Sequence, residues 1–463
     1  MTIELRQDAS VPSATIAVFE SGSRPRRADF QCKIGRDLTI DPDLLSRYCV
    51  RDLDSIVDDL VLVSGSVAFT DRVVARKPSI AWRRNLSVSI PVHNPDRWRE
   101  PELYRRLTGT LDYLTGDNWT LTFTQRRHRT NIQPQARLPL GSGTSLVMPY
   151  SDGLDSFAVA RLVAARHPNV PLVLVTTGNR KNPALDESNS DLSRSMYRVA
   201  IPFRLSSRGG LVRHREPSYR SRAFVFGVMA GIAAHLLNAT QIFVAESGQG
   251  ALGPWLTPVG NEAPDVRMHP SFTNRLASLL NHVLGTALSH VHPQLWKTKG
   301  ETLQDLTRFH LADGWWLTSS CARDQRHVSL DNRRIQCGVC AGCLLRRQSL
   351  HAAGLTSNAD IYLWNDLSAT TLSRAVSGRR TARNDERQAL CAVLEIQQFA
   401  EMNAQTEHLR TAADELSPFV NERSDLVEAN LRRLISTHSS EWTQFRSTLA
   451  PRSFINRWLD TLQ

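Results

Sequence analysis

Long apolar runs are scarce in this 463-residue chain. The longest, FVFGVMAGIAAHLLNATQIFVA at 224–245, carries His235, Asn238, Thr240 and Gln241, which are costly in lipid. It reads as a buried helix followed by a buried strand, so no membrane role is expected. The opening MTIELRQDASVPS lacks a basic segment followed by an apolar run, so no secretory signal is expected and the chain is assigned to the cytoplasm. Internal repeats, low-complexity tracts, a long basic arm and familiar nucleic-acid modules are also missing. Cysteine is sparse at seven residues, yet four of them crowd one short segment. In a cytosolic chain that pattern points to metal rather than to disulfides.

What is present is ordinary for a globular protein, with 41% apolar and 22% charged residues. The length calls for two or three domains. Lys and Arg outnumber Asp and Glu by 56 to 45, a formal charge of +11. That excess suits a nucleotide, an acidic partner or a nucleic acid. The basic residues lie in short clusters such as Arg24-Pro25-Arg26-Arg27 and Arg126-Arg127-His128-Arg129. Solvated surface charge accounts for them, and nucleic acid is not the favoured partner.

Three regions follow from the patterning. Residues 1–140 mix strand-like runs (ATIAVFE, NLSVSIPV, Trp119–Phe123) with a helix expected over Glu100–Leu114 and ended by Gly116-Asp117, an N-terminal α+β domain. Gly141-Ser142-Gly143 reads as a short linker. In residues 141–355, apolar strands at Leu146–Tyr150, Leu172–Thr176 and Ile242–Ala245 alternate with helices at Asp155–Arg166 and Phe224–Leu237. The expectation is an α/β fold, doubly wound, with a mostly parallel sheet covered on both faces. Thr298-Lys299-Gly300-Glu301 has the form of a helix-capping box. Residues 356–463 lose strand signals; Asn384–Ala412 and Arg423–Ser436 predict a helical domain.

The sharpest local signal is Tyr150-Ser151-Asp152-Gly153-Leu154-Asp155-Ser156, at the junction of an apolar strand and a helix. A small-residue turn there directs backbone N–H groups at a pyrophosphate, and the helix dipole favours the same anion. Ser151 and Ser156 offer hydroxyl donors, Gly153 permits close approach, and Asp155 can orient the loop or help hold Mg²⁺. An ordinary tight turn ending a buried strand gives the same pattern.

Cys337-Gly338-Val339-Cys340-Ala341-Gly342-Cys343 interlocks two C-x-x-C units, and Cys321 lies sixteen residues upstream. Four thiolates make a closed tetrahedral site of the kind structural Zn²⁺ takes, with no position left for a reactive water. Buried free cysteines and an iron–sulfur cluster are the alternatives.

The loop resembles that of the PP-loop ATP pyrophosphatases, Ser-Gly-Gly-x-Asp-Ser, with Asp152 in place of the first Gly. The order of loop, Ser-Cys and Cys-Gly-x-Cys-x-x-Cys-x-x-Arg resembles the QueC family of 7-cyano-7-deazaguanine synthases over about residues 145–354. Thr177-Gly178-Asn179-Arg180, Arg222-Ala223, Thr298–Glu301, Leu317-Thr318-Ser319-Ser320-Cys321 and Arg346 each resemble a short segment of that family. The flanking regions are similar in build to the defence-associated QueC-like branch, of the QatC type found in the Qat anti-phage system.

The resemblance implies ATP, with Mg²⁺, across residues 150–156 and at Thr177 and Gly178. It implies attack of a 7-deazaguanine carboxylate on the α-phosphate, release of pyrophosphate, and capture of the acyl-adenylate by an amine. Ser151, Asp155 and Ser156 then serve the phosphates, and Lys299 and Arg222 are candidates for neutralising charge. Capping or surface duty serves as well for those two. The acceptor expected in the defence branch is an amine of a partner protein from the same system. A housekeeping nitrile synthase using ammonia, a tRNA-thiolating PP-loop enzyme and a nucleotide-binding scaffold without turnover remain alternatives.

Overall fold

The computed structural model describes residues 11–23, 27–41, 54–77, 79–127, 145–151, 153–177, 195–206, 213–258, 260–321, 329–330, 333–355, 362–376 and 380–461. The expected linker at 141–143 lies outside them.

The chain opens with β1 (Ser13–Phe19), β2 (Phe30–Lys33), β3 (Leu38–Ile40) and helix α1 (Ser55–Val73). Strand β4 (Asn85–Val92), helices α2 (Pro95–Arg99) and α3 (Pro101–Thr115), and strand β5 (Asn118–Gln125) follow. They build a sheet in the order β2-β1-β4-β5, parallel throughout. Patterning finds these strands but gives α+β, whereas the region is parallel α/β. Helix α1 precedes β4, and α2 with α3 spans β4 to β5, which is how a chain returns to the start of a parallel neighbour. In β5, alternation sends Trp119, Leu121 and Phe123 into the core. At one end of this layer Arg84, fully buried, bridges Asp71 and Asp117 at 2.7 Å each, and Arg76 pairs with Asp117 at 2.7 Å.

The second sheet starts at β6 (Leu146–Pro149), followed by α4 (Leu154–Arg166), β7 (Leu172–Thr177), β8 (Met196–Ile201) and β9 (Phe203–Leu205). Next come α5 (Arg222–Leu236), β10 (Gln241–Phe243), α6 (Gly248–Leu256), α7 (Pro270–Leu284) and β11 (Ser289–Val291). Strand order is β11-β10-β6-β7-β8, again parallel. Period two splits the apolar strands between two faces. Val147, Val173 and Val175 join the core that holds α5, while Leu146, Met148, Leu172 and Leu174 pack with Val159, Ala160 and Val163 of α4. The sheet is covered on both faces, as the strand–helix alternation predicts.

One hydrophobic core runs through both sheets, because α1 and α3 pack on α5 and α7. Polar contacts join the same surfaces: Ser221 donates its backbone N–H to Asp71 at 2.8 Å, and the Tyr113 and Ser271 hydroxyls lie 2.5 Å apart. Strand β9 pairs antiparallel with β3.

The rest of the described chain is almost wholly helical: α8 (Lys299–Arg308), α9 (Ala341–Ala352), α10 (Arg383–Glu401), α11 (Thr406–Val420), α12 (Ser424–Ser447) and α13 (Phe454–Asp460). The helical stretch expected over Asn384–Ala412 holds α10 and the start of α11, parted by a tight turn at Met402–Ala404; the one expected over Arg423–Ser436 lies within α12, which runs on to Ser447. These helices pack on α6 through Leu409, Leu416 and Leu434 and on the cysteine segment through Trp442 and Phe454. No described helix is long and apolar enough to cross a membrane.

Candidate functional site

Strand β6 has β7 on one side and β10 on the other, and the order of connection reverses there. In an open parallel sheet the carboxyl ends of two such strands part, and the crevice between them is the usual ligand site. The Tyr150–Ser156 segment leaves β6 at this point. Tyr150 is still held to the sheet by its N–H on the Val175 carbonyl at 2.8 Å. The Ser151 and Ser156 hydroxyls are 2.9 Å apart, the Ser151 N–H donates to Ser156 Oγ at 3.2 Å, and the Gly153 N–H donates to Ser151 Oγ at 3.2 Å. Gly153 caps α4, and no side-chain cap bond to the first turn is seen among the described residues. The positive end of a 13-residue helix therefore opens onto the crevice. Thr177 ends the adjacent β7. Asp152, Gly178, Asn179 and Arg180 lie outside the described residues.

Asp155, in the first turn of α4, meets Lys299 at 2.8 Å. Lys299 is the first residue of α8, whose capping box forms as the sequence predicts. Thr298 Oγ1 accepts the Glu301 N–H at 3.0 Å, and a Glu301 carboxylate oxygen accepts the Thr298 N–H at 2.8 Å. The box fixes the backbone from which Lys299 reaches Asp155. Lys299 is only 5% exposed. Burial works against its charge, but Asp155 and Glu246 outweigh burial and raise its pKa.

Glu246 is the site residue that sequence reasoning missed. It stands three residues beyond β10, across the crevice from the loop, and shares a hydrogen bond with Asp155. Burial, and then the Asp155 charge, push its carboxyl up to about 8. A carboxylate just past an apolar strand is the only trace it leaves in the sequence.

Arg222 begins α5 but projects outward. Its guanidinium stacks 5.2 Å from the Phe226 ring, and no ion pair with Asp155 or Glu246 is seen among the described residues. Ser151, Asp155, Ser156 and Lys299 are brought together; Arg222 is held at a helix start beside Tyr219 and Arg267.

The four sulfurs of Cys321, Cys337, Cys340 and Cys343 lie within 4.8 Å of one another and can hold a metal ion. Backbone N–H groups of Val339 and Cys340 point at Cys337 Sγ, at 3.5 and 3.3 Å, and that of Cys337 at Cys321 Sγ, at 3.3 Å. The other three thiols, hydrogen-bonding to Cys321, lower its pKa. Gly338 makes the knuckle with φ +90°, and a Cβ there would sit 2.6 Å from the Trp364 carbonyl oxygen. Both constraints exclude a larger residue.

The cysteine element abuts the phosphate-loop candidate. The Ser319 carbonyl oxygen is 3.8 Å from where a Gly153 side chain would begin. Arg346, one helical turn beyond Cys343, is fully buried and donates to Thr318 Oγ1 at 2.7 Å. Helix α12 braces the other side. Gln249 Oε1 accepts the Lys299 N–H at 2.7 Å, Gln249 Nε2 lies 2.6 Å from His438 Nδ1, and Thr298 Oγ1 donates to Glu441 at 2.5 Å. A scan against protein-family models finds no match to this chain, and a search of curated proteins finds none either.

Proposed function

We propose that this chain is a QueC-like, ATP-dependent PP-loop enzyme that adenylates a 7-deazaguanine carboxylate for attack by an amine. The observation that carries the reading is the seating of the 151–156 loop and the Lys299–Asp155 pair at the point where the sheet order reverses. The open N-terminus of α4 and the two serine hydroxyls suit the β- and γ-phosphates. Lys299 supplies positive charge beside Asp155 and the raised carboxyl of Glu246, oxygen groups that would suit a divalent ion accompanying ATP once Glu246 gives up its proton. In the reaction, a substrate carboxylate oxygen attacks the α-phosphorus and the bond to the β-phosphate oxygen breaks, so pyrophosphate leaves. The amine then attacks the acyl carbon, AMP leaves, and the amine's proton passes to a base. The chain's part is to hold the carboxylate and α-phosphate in line and keep water from the adenylate.

The cysteine cluster is, on this reading, a structural zinc site. Its four sulfurs fill a tetrahedral shell, and buried Cys337 and Cys343 leave no open position for substrate. Ammonia needs no docking surface, so the parallel layer before the core and the helices after it are read as serving a macromolecular acceptor. In the anti-phage reading, that acceptor is an amine of a partner protein.

Trapping the intermediate tests the proposal. Protein, ATP, Mg²⁺ and 7-carboxy-7-deazaguanine with hydroxylamine are expected to yield the hydroxamate and AMP. Ser156→Ala is expected to weaken ATP binding by about 1–3 kcal/mol, the usual cost of a lost hydrogen bond to a charged group. Hydroxamate formation at the no-enzyme rate contradicts the reading.

A further inference from the structure

The helices after the core enclose a groove that lies apart from the crevice. It runs between the first turns of α10, the segment Thr370–Leu372 and helix α13, with a volume of about 890 Å³. Its floor is apolar. Leu372 and Phe454 are buried, Leu390 is half-buried, and the Phe454 and Trp458 rings meet edge to face with centroids 4.9 Å apart. Its rim is basic. Arg383 and Arg387 come from α10 and Arg457 from α13, and Glu386 is the one acid among the described lining residues.

The fold leaves this charge open. Arg383 and Arg387 are exposed and make no ion pair or side-chain hydrogen bond among the described residues. Arg457 donates to a neutral acceptor, the Thr370 carbonyl oxygen, at 3.3 Å. By contrast, exposed Arg99 and Arg423 have acids beside them, Asp96 at 2.8 Å and Asp425 at 3.0 Å. Asp385, next to the rim, is buried and accepts the Ala382 N–H at 2.9 Å. The sequence leans the same way, because residues 370–390 hold five arginines against Asp385 and Glu386. Both α10 arginines also stand near the positive end of a 19-residue helix, where acids are favoured over bases.

We propose that this groove docks an acidic, extended segment of a protein partner, with carboxylates on alternate residues and apolar side chains between them. Four residues of a helix rise about 6 Å, and alternate residues of a strand lie about 6.6–6.8 Å apart, so Arg383 and Arg387 match carboxylates two residues apart. The planar guanidinium fork suits a carboxylate. Alternation sends the intervening side chains to the other face, toward Leu372 and Trp458. A single-stranded nucleic acid is the less suited occupant. Such strands bind on successive exposed rings, and with Phe454 buried, Trp458 is the one aromatic lining residue that reaches the surface. The inference stands apart from the proposed adenylation, since no lining residue belongs to the crevice.

Fluorescence anisotropy with the full chain tests it, using a labelled Glu-Leu-Glu-Leu-Glu peptide, its Lys-Leu counterpart and oligouridylate as probes. The acidic peptide is expected to bind, more weakly as salt is raised, and the basic one not to bind. Arg383→Gln combined with Arg387→Gln keeps good helix formers in α10 and is expected to weaken the acidic peptide at least about tenfold, the scale of two exposed ion pairs. Arg105→Gln combined with Arg410→Gln removes the same charge from exposed positions outside the groove and is expected to leave affinity within about twofold, as an ordinary surface change does. Equal losses in the two double variants reduce the binding to general attraction by a basic chain and overturn the groove, as does an acidic peptide that fails to bind at low salt. Oligouridylate that displaces the peptide and depends on Arg383 and Arg387 overturns the peptide reading. Hydroxamate formation is expected to be the same in both double variants, so docking and adenylation fail separately.

Discussion

Thr298 donates its hydroxyl to Glu441 at 2.5 Å, tying the first turn of α8 to the long helix α12. Burial, with a contribution from Glu301, pushes the Glu441 carboxyl up to about 7, against an ordinary value of 4.5. Between those two values the folded protein holds a proton that the unfolded chain has released. Stability attributable to Glu441 therefore falls as pH rises from about 4.5 to 7 and changes little above that. Glu441→Gln keeps the shape and removes the titration. Unfolding free energies from pH 5 to 8 are expected to decline less in the variant than in the wild type, the difference reaching about 1–3 kcal/mol. Parallel curves contradict this role.

Lys299 supplies the charge next to Asp155 and Glu246. Lys299→Met strips the partly buried Asp155 of its counterion, which costs up to about 3 kcal/mol, the low end for breaking a buried pair. Denaturant unfolding is expected to show that loss, and pyrophosphate release to fall at least about a hundredfold, a barrier increase of about 2.7 kcal/mol. Because the guanidinium is larger, planar and forked where the ammonium is compact, Lys299→Arg is not expected to restore turnover. Full activity in Lys299→Met removes the residue from the chemistry.

Metal analysis is expected to find about one Zn²⁺ per chain, and Cys340→Ser to lose it and fold poorly, because structural zinc binding is folding energy. The Ser319 carbonyl beside Gly153 extends the effect: stripping the metal is expected to weaken ATP binding as well. A soluble, metal-free Cys340→Ser protein with unchanged ATP affinity contradicts both points.

Asp71 accepts from Arg84 at 2.7 Å and from the Ser221 N–H at 2.8 Å, so it belongs to the ion network of the first sheet and to the start of α5. Its burial opposes ionisation, but Arg84, the Ser221 N–H and Arg76 together outweigh burial and lower its pKa. Asp71→Asn leaves Arg84 undercompensated and is expected to destabilise by about 3–5 kcal/mol. If the two layers unfold together, as one continuous core implies, a single transition shifts. A variant within about 0.5 kcal/mol of wild type, the range of an ordinary surface change, denies the network that weight.

The parts legible in the sequence were those whose signal is local. Strand β6, its small-residue loop and α4 are contiguous, as are the Thr298–Glu301 box and three of the four cysteines. Glu246 was hidden because a lone carboxylate after a three-residue strand carries no pattern. Gln249 and His438 meet across 189 residues of chain, a contact that only packing creates. The first sheet was misjudged because alternation reveals a strand but not the direction of its partner. Neither proline nor glycine marks the Met402–Ala404 break, so helical spacing alone does not locate it. Arg222 was placed at a helix start, but the periodicity of that helix does not tell where a long side chain at its first position points.

The most direct test of the central claim is ATP–pyrophosphate exchange, which reads reversible adenylate formation without any acceptor. The account expects exchange of label from pyrophosphate into ATP that requires 7-carboxy-7-deazaguanine, is abolished in Lys299→Met, and gives way to net AMP formation when the acceptor amine is supplied. Exchange no faster with the acid than without it, in folded, metal-replete protein, contradicts the account.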